Sequence, residues 1–188
     1  MTQGRKLNMS EEQELLNSFM DGDRKAAEDL VNRTYKSIYT FLYRLCRDDE
    51  NLALDLTQET YQKAWKALRE FDGRSKFSTW LYRIAYNTFL NYARHPLRVV
   101  SIDDKARSAP ICLDEGQEAR MMEHEMKENL RQAVLNLPDE LRFAITARYW
   151  GELSVQDIAR MEQVSVVAVR RRMRRALKSI ARYCEGRR

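Results

Sequence analysis

Five cationic side chains near the end of the chain share one helical face. These side chains belong to Arg170, Arg171, Arg174, Arg175 and Lys178. A guanidinium group can donate two parallel hydrogen bonds to a phosphate or to a guanine edge, so a row of such groups suits nucleic acid. Residues 160–188 hold ten basic and two acidic residues, a net charge of +8. The chemistry indicated is attachment to a polyanion, and the alternatives are a solvated helix face, a basic coiled coil or a helix that docks on another protein.

A second group combines aromatic rings with cations and amides. Nine of the 18 aromatic residues fall within residues 61–92, and residues 63–98 carry a net charge of +6. Arg83, Asn87 and Asn91 share the polar side of a predicted helix in this region. Rings beside cations and amides can hold and read unstacked bases of single-stranded nucleic acid. At least half of these rings, including Tyr61 and Phe89, are expected to belong to the core instead.

A third group is a polar stripe at helical spacing. It consists of Asp55, Gln58, Glu59 and Gln62, at i, i+3, i+4 and i+7. An apolar stripe lies beside it and consists of Leu54, Tyr61, Trp65 and Leu68. On the residues alone, a solvated face with a Glu59–Lys63 pair is the favoured interpretation, and a protein-docking face is the alternative.

The elements that must carry these groups are helices, because no stretch alternates apolar and polar residues for long enough to form a strand. Ser154 and Asp157 predict the start of a short helix, and Ser165 can cap a longer one. The longer helix has a core stripe of Val166, Val169, Met173, Ala176 and Ile180. A short helix, a tight turn and a longer helix with an exposed basic face predict a helix-turn-helix.

Periodicity fades between Pro96 and about Gln117, where Pro, Gly and Asp are frequent. A loop of that length is unusual inside a compact domain, so it predicts a boundary. We therefore expect an all-α fold with two small helical domains, residues 1–95 and 118–188. Residues 96–117 form the flexible linker between them, and the second domain carries the helix-turn-helix.

The composition excludes several classes of protein. The chain has 188 residues with 44% hydrophobic and 32% charged residues, a globular balance, and no apolar run approaches the length of a membrane span. No secretion signal is apparent, so a cytoplasmic protein without membrane insertion is expected. Cys46, Cys112 and Cys184 form no metal-binding spacing. No catalytic residue, metal site or cofactor is predicted, and the chain is not expected to be an enzyme.

Two stretches of the sequence resemble bacterial sigma factors. The segments DLTQETYQKAW at 55–65 and FDGRSKFSTWLYRIAYN at 71–87 are similar to their second conserved region. The segment LPDELR at 137–142, followed by the helix-turn-helix, is similar to their fourth region. The order of the motifs, the linker and the short length resemble the extracytoplasmic-function (ECF) group, which keeps these two domains.

The resemblance implies a role for each of the three groups. It implies that Asp55, Gln58, Glu59, Gln62 and Trp65 bind core RNA polymerase. It implies that the upstream-ten promoter element is melted and its non-template single strand is read by Phe77, Ser78, Thr79, Trp80, Arg83, Asn87 and Asn91. It implies that the upstream-thirty-five element is read as duplex by Arg170, Arg171, Arg174, Arg175 and Lys178.

The implied partners are core RNA polymerase, promoter DNA and an anti-sigma factor that masks the free protein. Two departures from the family pattern bear on DNA reading. Gln163 stands where the family often has glycine in the turn, so either a positive φ or a different turn is expected there. Val167 and Ala168 replace a frequent Gly-Thr pair. The alternatives to a sigma factor are a stand-alone helix-turn-helix regulator that binds operator duplex, and a helical adaptor with basic faces.

Overall fold

A computed structural model describes residues 9–20, 22–94 and 117–186. This part of the chain holds eight α-helices and no strand. In chain order, the helices are α1 Met9–Met20, α2 Arg24–Leu45, α3 Glu50–Ala67, α4 Phe77–Arg94, α5 Gln117–Leu135, α6 Asp139–Tyr149, α7 Val155–Glu162 and α8 Val166–Glu185. The predicted all-α class is confirmed. The predicted linker lies, apart from Gln117, outside the described residues.

Side-chain caps define where four of the helices begin. The Asp23 carboxylate accepts from the Lys25 amide at 2.8 Å, and the Asp49 carboxylate accepts from the Leu52 amide at 3.0 Å. The hydroxyls of Ser154 and Ser165 accept from the amides of Asp157 and Ala168, both at 3.1 Å. Each cap satisfies one of the backbone amides that have no partner within the first turn. The two serine caps confirm the predicted starts of α7 and α8.

Helix α3 buries small residues together with Tyr61 and Leu68 of the predicted stripe. Its buried face includes Ala53, Thr57, Thr60 and Ala64, whereas Leu54 is only half-buried. The hydroxyls of Thr57 and Thr60 donate to the carbonyls one turn earlier in α3, both at 2.6 Å. These bonds satisfy the polar atoms, so a threonine can pack like an apolar residue. The predicted position of the stripe was therefore partly wrong.

Helix α6 is buried on two opposite sides. Leu141 and Ile145 pack with Leu137 and Ala176 in a small core of the second domain. Phe143 and Ala147 belong to the main core, which also includes residues of α2 and α4. Residues 141–147 are all buried, including the polar Arg142 and Thr146, so this part of α6 is enclosed on all sides. Helix α6 thus packs both on α8 and on the N-terminal helices α2 and α4.

Aromatic contacts join α6 to the N-terminal helices α2 and α4. The Phe143 ring is parallel to the Tyr86 ring of α4, with centroids 3.6 Å apart. The same ring meets Phe41 of α2 edge to face at 6.2 Å. The sequence predicted two domains but not this shared core, because the patterns within each helix do not identify its partners.

The turn between α2 and α3 adds ion pairs to this contact. Arg47 and Asp48 both have positive φ, 58° and 63°, in the left-handed region that non-glycine residues rarely adopt. Asp48 pairs with Arg44 at 2.8 Å and with Arg131 of α5, and Arg47 reaches Asp139 at 3.3 Å. Contacts on both residues thus hold a strained turn against the second domain.

Two non-glycine residues next to helices α6 and α7 have a positive φ. Gln163 ends α7 with φ 56° and ψ 41°, so the positive φ, one of the two expected alternatives, is confirmed. Glu152, just after α6, also has a positive φ, of 51°. The glycine before it, Gly151, is required because a Cβ there would lie 2.8 Å from the Ala147 carbonyl oxygen.

Replacing Gln163 with glycine should stabilise the protein. Glycine removes the penalty of the left-handed conformation, and after the extra entropy of its unfolded state we expect a gain of about 0.5–1 kcal/mol. Denaturant unfolding of the full chain measures this change. The matched control is Gln156→Gly, which places glycine at an exposed helical position of α7 and should destabilise by about 0.5–1 kcal/mol. Destabilisation by both substitutions would contradict the expectation for Gln163.

Candidate nucleic-acid interface

The basic face of α8 is exposed to solvent, and the opposite face is buried. Val169 and Ala176 are completely buried, and Val166, Met173 and Ile180 are half-buried. The five predicted DNA-binding residues, Arg170, Arg171, Arg174, Arg175 and Lys178, are all exposed. Within the described part of the chain, only Arg175 among them has an ion-pair contact, with Glu140 at 3.9 Å. These guanidinium and ammonium groups are therefore available to an external anion.

Arg172 differs from the arginines around it. It is half-buried and pairs with Glu162 at 2.7 Å and with Glu140 at 3.3 Å, so it connects α8 to α7 and α6. Tyr86 of α4 donates a hydrogen bond to Glu162 at 3.5 Å. Burial raises the pKa of Glu162, and the charge of Arg172 opposes that rise. Arg172 thus stabilises the packing of α8 on α6 and α7. The run of arginines in the sequence does not show which of them has this structural role.

The polar face of α4 is arranged as the sequence predicts. Arg83, Asn87 and Asn91 are exposed, whereas Ala85 and Phe89 between them are buried. Amide side chains at i and i+4 lie on one side of a helix, so Asn87 and Asn91 present donors and acceptors in the same direction. This face can make hydrogen bonds to the edges of unstacked bases.

Phe77 is an exception among the residues predicted to contact DNA. Its ring is only 1% exposed and packs edge to face on Phe71 at 6.0 Å. Trp80 lies 5.6 Å from Phe77 and is half-buried, as are Ser78 and Thr79. The Phe77 ring is covered in this conformation, so a direct contact with DNA would require the ring to be uncovered. Phe77 supports the first turn of α4, where its neighbours reach the surface.

Together with Phe77, four other rings confirm the expectation that at least half of the rings in this region are core. Tyr61, Tyr82, Tyr86 and Phe89 are all buried. The Tyr61 hydroxyl lies 2.7 Å from the Thr34 hydroxyl, and burial raises the pKa of Tyr61. A ring held in this way contributes packing area and a satisfied polar group.

The polar stripe of α3 lies on the surface. Asp55, Gln58, Glu59 and Gln62 are exposed, and Glu59 forms the expected pair with Lys63 at 2.8 Å. Trp65 is half-buried, and its ring lies 5.2 Å from Phe19 of α1. The stripe and the edge of Trp65 therefore form one accessible surface of mixed polarity, which is suited to binding another protein.

Other kinds of site are not found in the described residues. Residues 9–20, 22–94 and 117–186 contain no cluster of three or more His, Cys, Asp or Glu side chains that could hold a metal ion. The described helices include none that is long and apolar enough to cross a membrane. Cys46 is buried, and burial raises the pKa of its thiol to about 12.

Sequence reasoning did not single out Val167 as a surface residue of the recognition helix. Its side chain is 72% exposed, whereas Val166 and Val169 in the same turn pack into the core. The signal was present in the spacing, because Val167 precedes Arg171, Arg174 and Lys178 by four, seven and eleven residues. That spacing places Val167 on the basic face.

Two family models match the chain, and each covers one of the regions described above. The model for sigma-70 region 2 matches residues 30–97, which include α3 and α4. The model for sigma-70 region 4 matches residues 127–180, which include the helix-turn-helix. The two matches have the order and positions that the motifs in the sequence predict.

Whole-length relatives agree with these matches. The chain is 35% identical to the RNA polymerase sigma-H factor of Pseudomonas aeruginosa over 182 residues, which cover 93% of this chain and 94% of the relative. It is 33% identical to the ECF RNA polymerase sigma-E factor of Haemophilus influenzae over 177 residues, which cover 90% of this chain and 93% of the relative.

Solved structures with the same fold include two complexes. One is CnrH bound to the cytosolic domain of CnrY, with a TM-score of 0.65, 23% identity, and coverage of 93% of this chain and 97% of that one. Another is the sigma factor RpoE bound to the anti-sigma factor NepR from Bartonella quintana, with a TM-score of 0.66, 22% identity, and coverage of 87% and 99%. From the family models and the whole-length relatives, the chain belongs to the ECF group of the sigma-70 family and is an alternative sigma factor.

Proposed function

We propose a division of labour among three faces of this alternative sigma factor. The polar stripe of α3, with Trp65, binds core RNA polymerase. The polar face of α4, with Arg83, Asn87 and Asn91, captures flipped bases of the upstream-ten element. The basic face of α8 reads the upstream-thirty-five element as duplex. The corresponding domain boundaries are residues 1–95 and 118–188.

The observation that carries this proposal is the exposure of all three faces on helices whose opposite sides are buried. Each face has a different chemistry: carboxylates and amides on α3, amides and a cation on α4, and arginines on α8. Melting needs a few kcal/mol of unstacking energy per base, which binding of the flipped base offsets. Duplex reading needs guanidinium groups in the major groove.

A masking partner and a cytoplasmic site of action complete the proposal. Two exposed basic faces would bind DNA without polymerase, because phosphate attraction does not depend on sequence. An anti-sigma factor would prevent that binding. RpoE, which has a similar fold, forms a complex of this kind with the anti-sigma factor NepR. Polymerase and the chromosome share the cytoplasm of bacteria, so we place the protein there.

Run-off transcription tests the overall function. Purified core polymerase, a promoter template selected from a genomic library and the full chain should together yield transcripts, and omission of the chain should abolish them. Duplex binding without any binding to core polymerase would favour a stand-alone regulator. Binding to polymerase without initiation would favour a helical adaptor. Either result would contradict the proposal.

The division between opening and duplex reading can be tested with two substitutions. Asn87→Ala should reduce the open complex about tenfold, since one lost base contact costs roughly 1–3 kcal/mol, with little change in duplex binding. Arg171→Ala should weaken duplex binding by about tenfold or more and leave the opening step unchanged once DNA is saturating. Permanganate reactivity measures opening, and fluorescence anisotropy measures duplex binding.

The controls use the same residue types on other surfaces. Arg33→Ala removes an exposed charge from α2, and Asn136→Ala removes an exposed amide between α5 and α6. Neither control should change opening or duplex binding by more than about twofold, since exposed substitutions away from a site usually have small effects. Equal effects of Asn87→Ala and Arg171→Ala on both steps would contradict the division of labour.

A further inference from the structure

An apolar side chain lies in the middle of the basic face of α8. Val167 is 72% exposed, although valine is among the residues most often buried. Arg171, Arg174 and Lys178 follow it at i+4, i+7 and i+11 and are all exposed. At 100° per residue, these four side chains fall within about 60° of one another around the helix axis.

Within the first turn of α8, Val167 faces solvent, whereas its neighbours Val166 and Val169 pack into the core. Ser165 caps the helix, so Val167 lies at its second position. Val166 is half-buried and Val169 is completely buried, so these two provide the packing of that turn. The Val167 side chain adds nothing to the core. An exposed β-branched residue is also a modest helix former, and therefore folding gives no reason for valine at this position.

The position of Val167 suits contact with a base edge. In a helix-turn-helix, the N-terminal residues of the second helix contact bases in the major groove. Base pairs that contain thymine present a C5-methyl group there, and apolar side chains recognise it. A valine isopropyl group between guanidinium groups that hold the backbone would meet such a methyl group. It cannot accept or donate a hydrogen bond, so it cannot select the other base edges by pairing.

We propose that Val167 is a specificity-determining residue that recognises the C5-methyl group of one thymine in the upstream-thirty-five element. This inference rests on the proposed function of α8 as the duplex-reading helix. It adds that part of the sequence preference is apolar and is located at the start of α8. The arginines provide attachment and reading of guanine edges, whereas Val167 distinguishes thymine from the other pyrimidine.

The test removes methyl groups from the DNA one at a time. The upstream-thirty-five element is first selected from a randomised duplex library with the full chain bound to core polymerase. Each thymine in the element is then replaced by deoxyuridine, which keeps the hydrogen-bonding edge and loses only the methyl group. At one position the wild-type protein should lose about fourfold in affinity, the size that burial of one methyl group provides.

The matched variant is Val167→Ala, which keeps the helix and removes two methyl groups from the protein. It should bind thymine and deoxyuridine equally at that position, and circular dichroism confirms that it is folded. Val167→Thr, which keeps one methyl group, should retain part of the discrimination. Three results would overturn the inference: no thymine in the selected element, no position sensitive to deoxyuridine, or equal sensitivity in the wild type and Val167→Ala.

The same duplex separates this inference from the function on which it rests. If Arg171→Ala binds the selected duplex as tightly as the wild type, then α8 is not the reading helix and the proposed function fails. If Arg171→Ala binds weakly and the methyl group has no effect, then α8 reads the duplex and only the assignment of Val167 is wrong.

Discussion

Replacing Phe143 with alanine should lower the free energy of unfolding by about 3–5 kcal/mol, the range for removing a large aromatic side chain from a core. The Phe143 ring is 1% exposed and contacts Tyr86 and Phe41 of the first domain. Its loss would leave a cavity at the contact between the domains, so they should also separate. Denaturant unfolding measures the first effect, and the radius of gyration from X-ray scattering measures the second.

Phe77→Ala is the matched control for this substitution. Phe77 is equally buried, but its ring contacts are with Phe71 and Trp80 inside the first domain. It should destabilise by a similar amount without an increase in the radius of gyration of the folded protein. An unchanged radius for Phe143→Ala would show that the ion pairs of Asp48 and Arg47 hold the domains together without the aromatic contact.

Arg142→Met should destabilise the protein by about 2–4 kcal/mol, because two buried carbonyls would lose their donor. Arg142 is 2% exposed, and its guanidinium group donates to the carbonyls of Leu135 and Leu137 at 3.3 and 3.1 Å and to the Asp139 carboxylate. Burial lowers the pKa of Arg142, and Asp139 opposes this effect. Methionine keeps the apolar stem and removes all three bonds. Denaturant unfolding measures the loss.

The control lies in the same helix. Arg148 is exposed and donates to one carbonyl, that of Leu153, at 3.1 Å. Arg148→Met should therefore destabilise by about 1 kcal/mol or less. If the two substitutions were equally mild, the guanidinium of Arg142 would not be needed to join α5 and α6. Arg142→Lys should lie between them, because an ammonium group cannot reproduce the planar fork of donors.

Much of the fold could be predicted from local patterns. Ser154 and Ser165 marked the starts of two helices, because a cap is a contact between residues three apart. The buried threonines of α3 could not be predicted, since satisfaction of their hydroxyls depends on burial that residue type does not reveal. Arg142 is similar: a guanidinium group inside a core becomes understandable only when the carbonyls that it satisfies are visible.

In the candidate site too, features set by neighbouring residues could be predicted, whereas contacts between different helices could not. The exposed faces of α3, α4 and α8 followed from spacing, because periodicity determines which side chains share a side. The burial of Phe77 did not follow from spacing, since an aromatic residue at the start of a helix can face in either direction. The brace from Arg172 to Glu162 and the contact of Phe143 with Tyr86 join residues that are distant in sequence or on different helices, which periodicity cannot pair.

The contact of α6 with the first domain has a consequence for promoter affinity. A compact chain of this length has a radius of gyration of about 16 Å, whereas elements about 25 base pairs apart are separated by roughly 85 Å along B-DNA. The arrangement in which α6 packs on α2 and α4, here called closed, cannot reach both elements. The apparent dissociation constant for a two-part promoter therefore equals the intrinsic value divided by the fraction of molecules in which α6 has separated from α2 and α4. Each 1.4 kcal/mol of free energy that favours the closed arrangement then weakens the affinity for the promoter about tenfold. The effect is measured by comparing the affinity for a duplex that carries both elements with the affinities for duplexes that each carry one element.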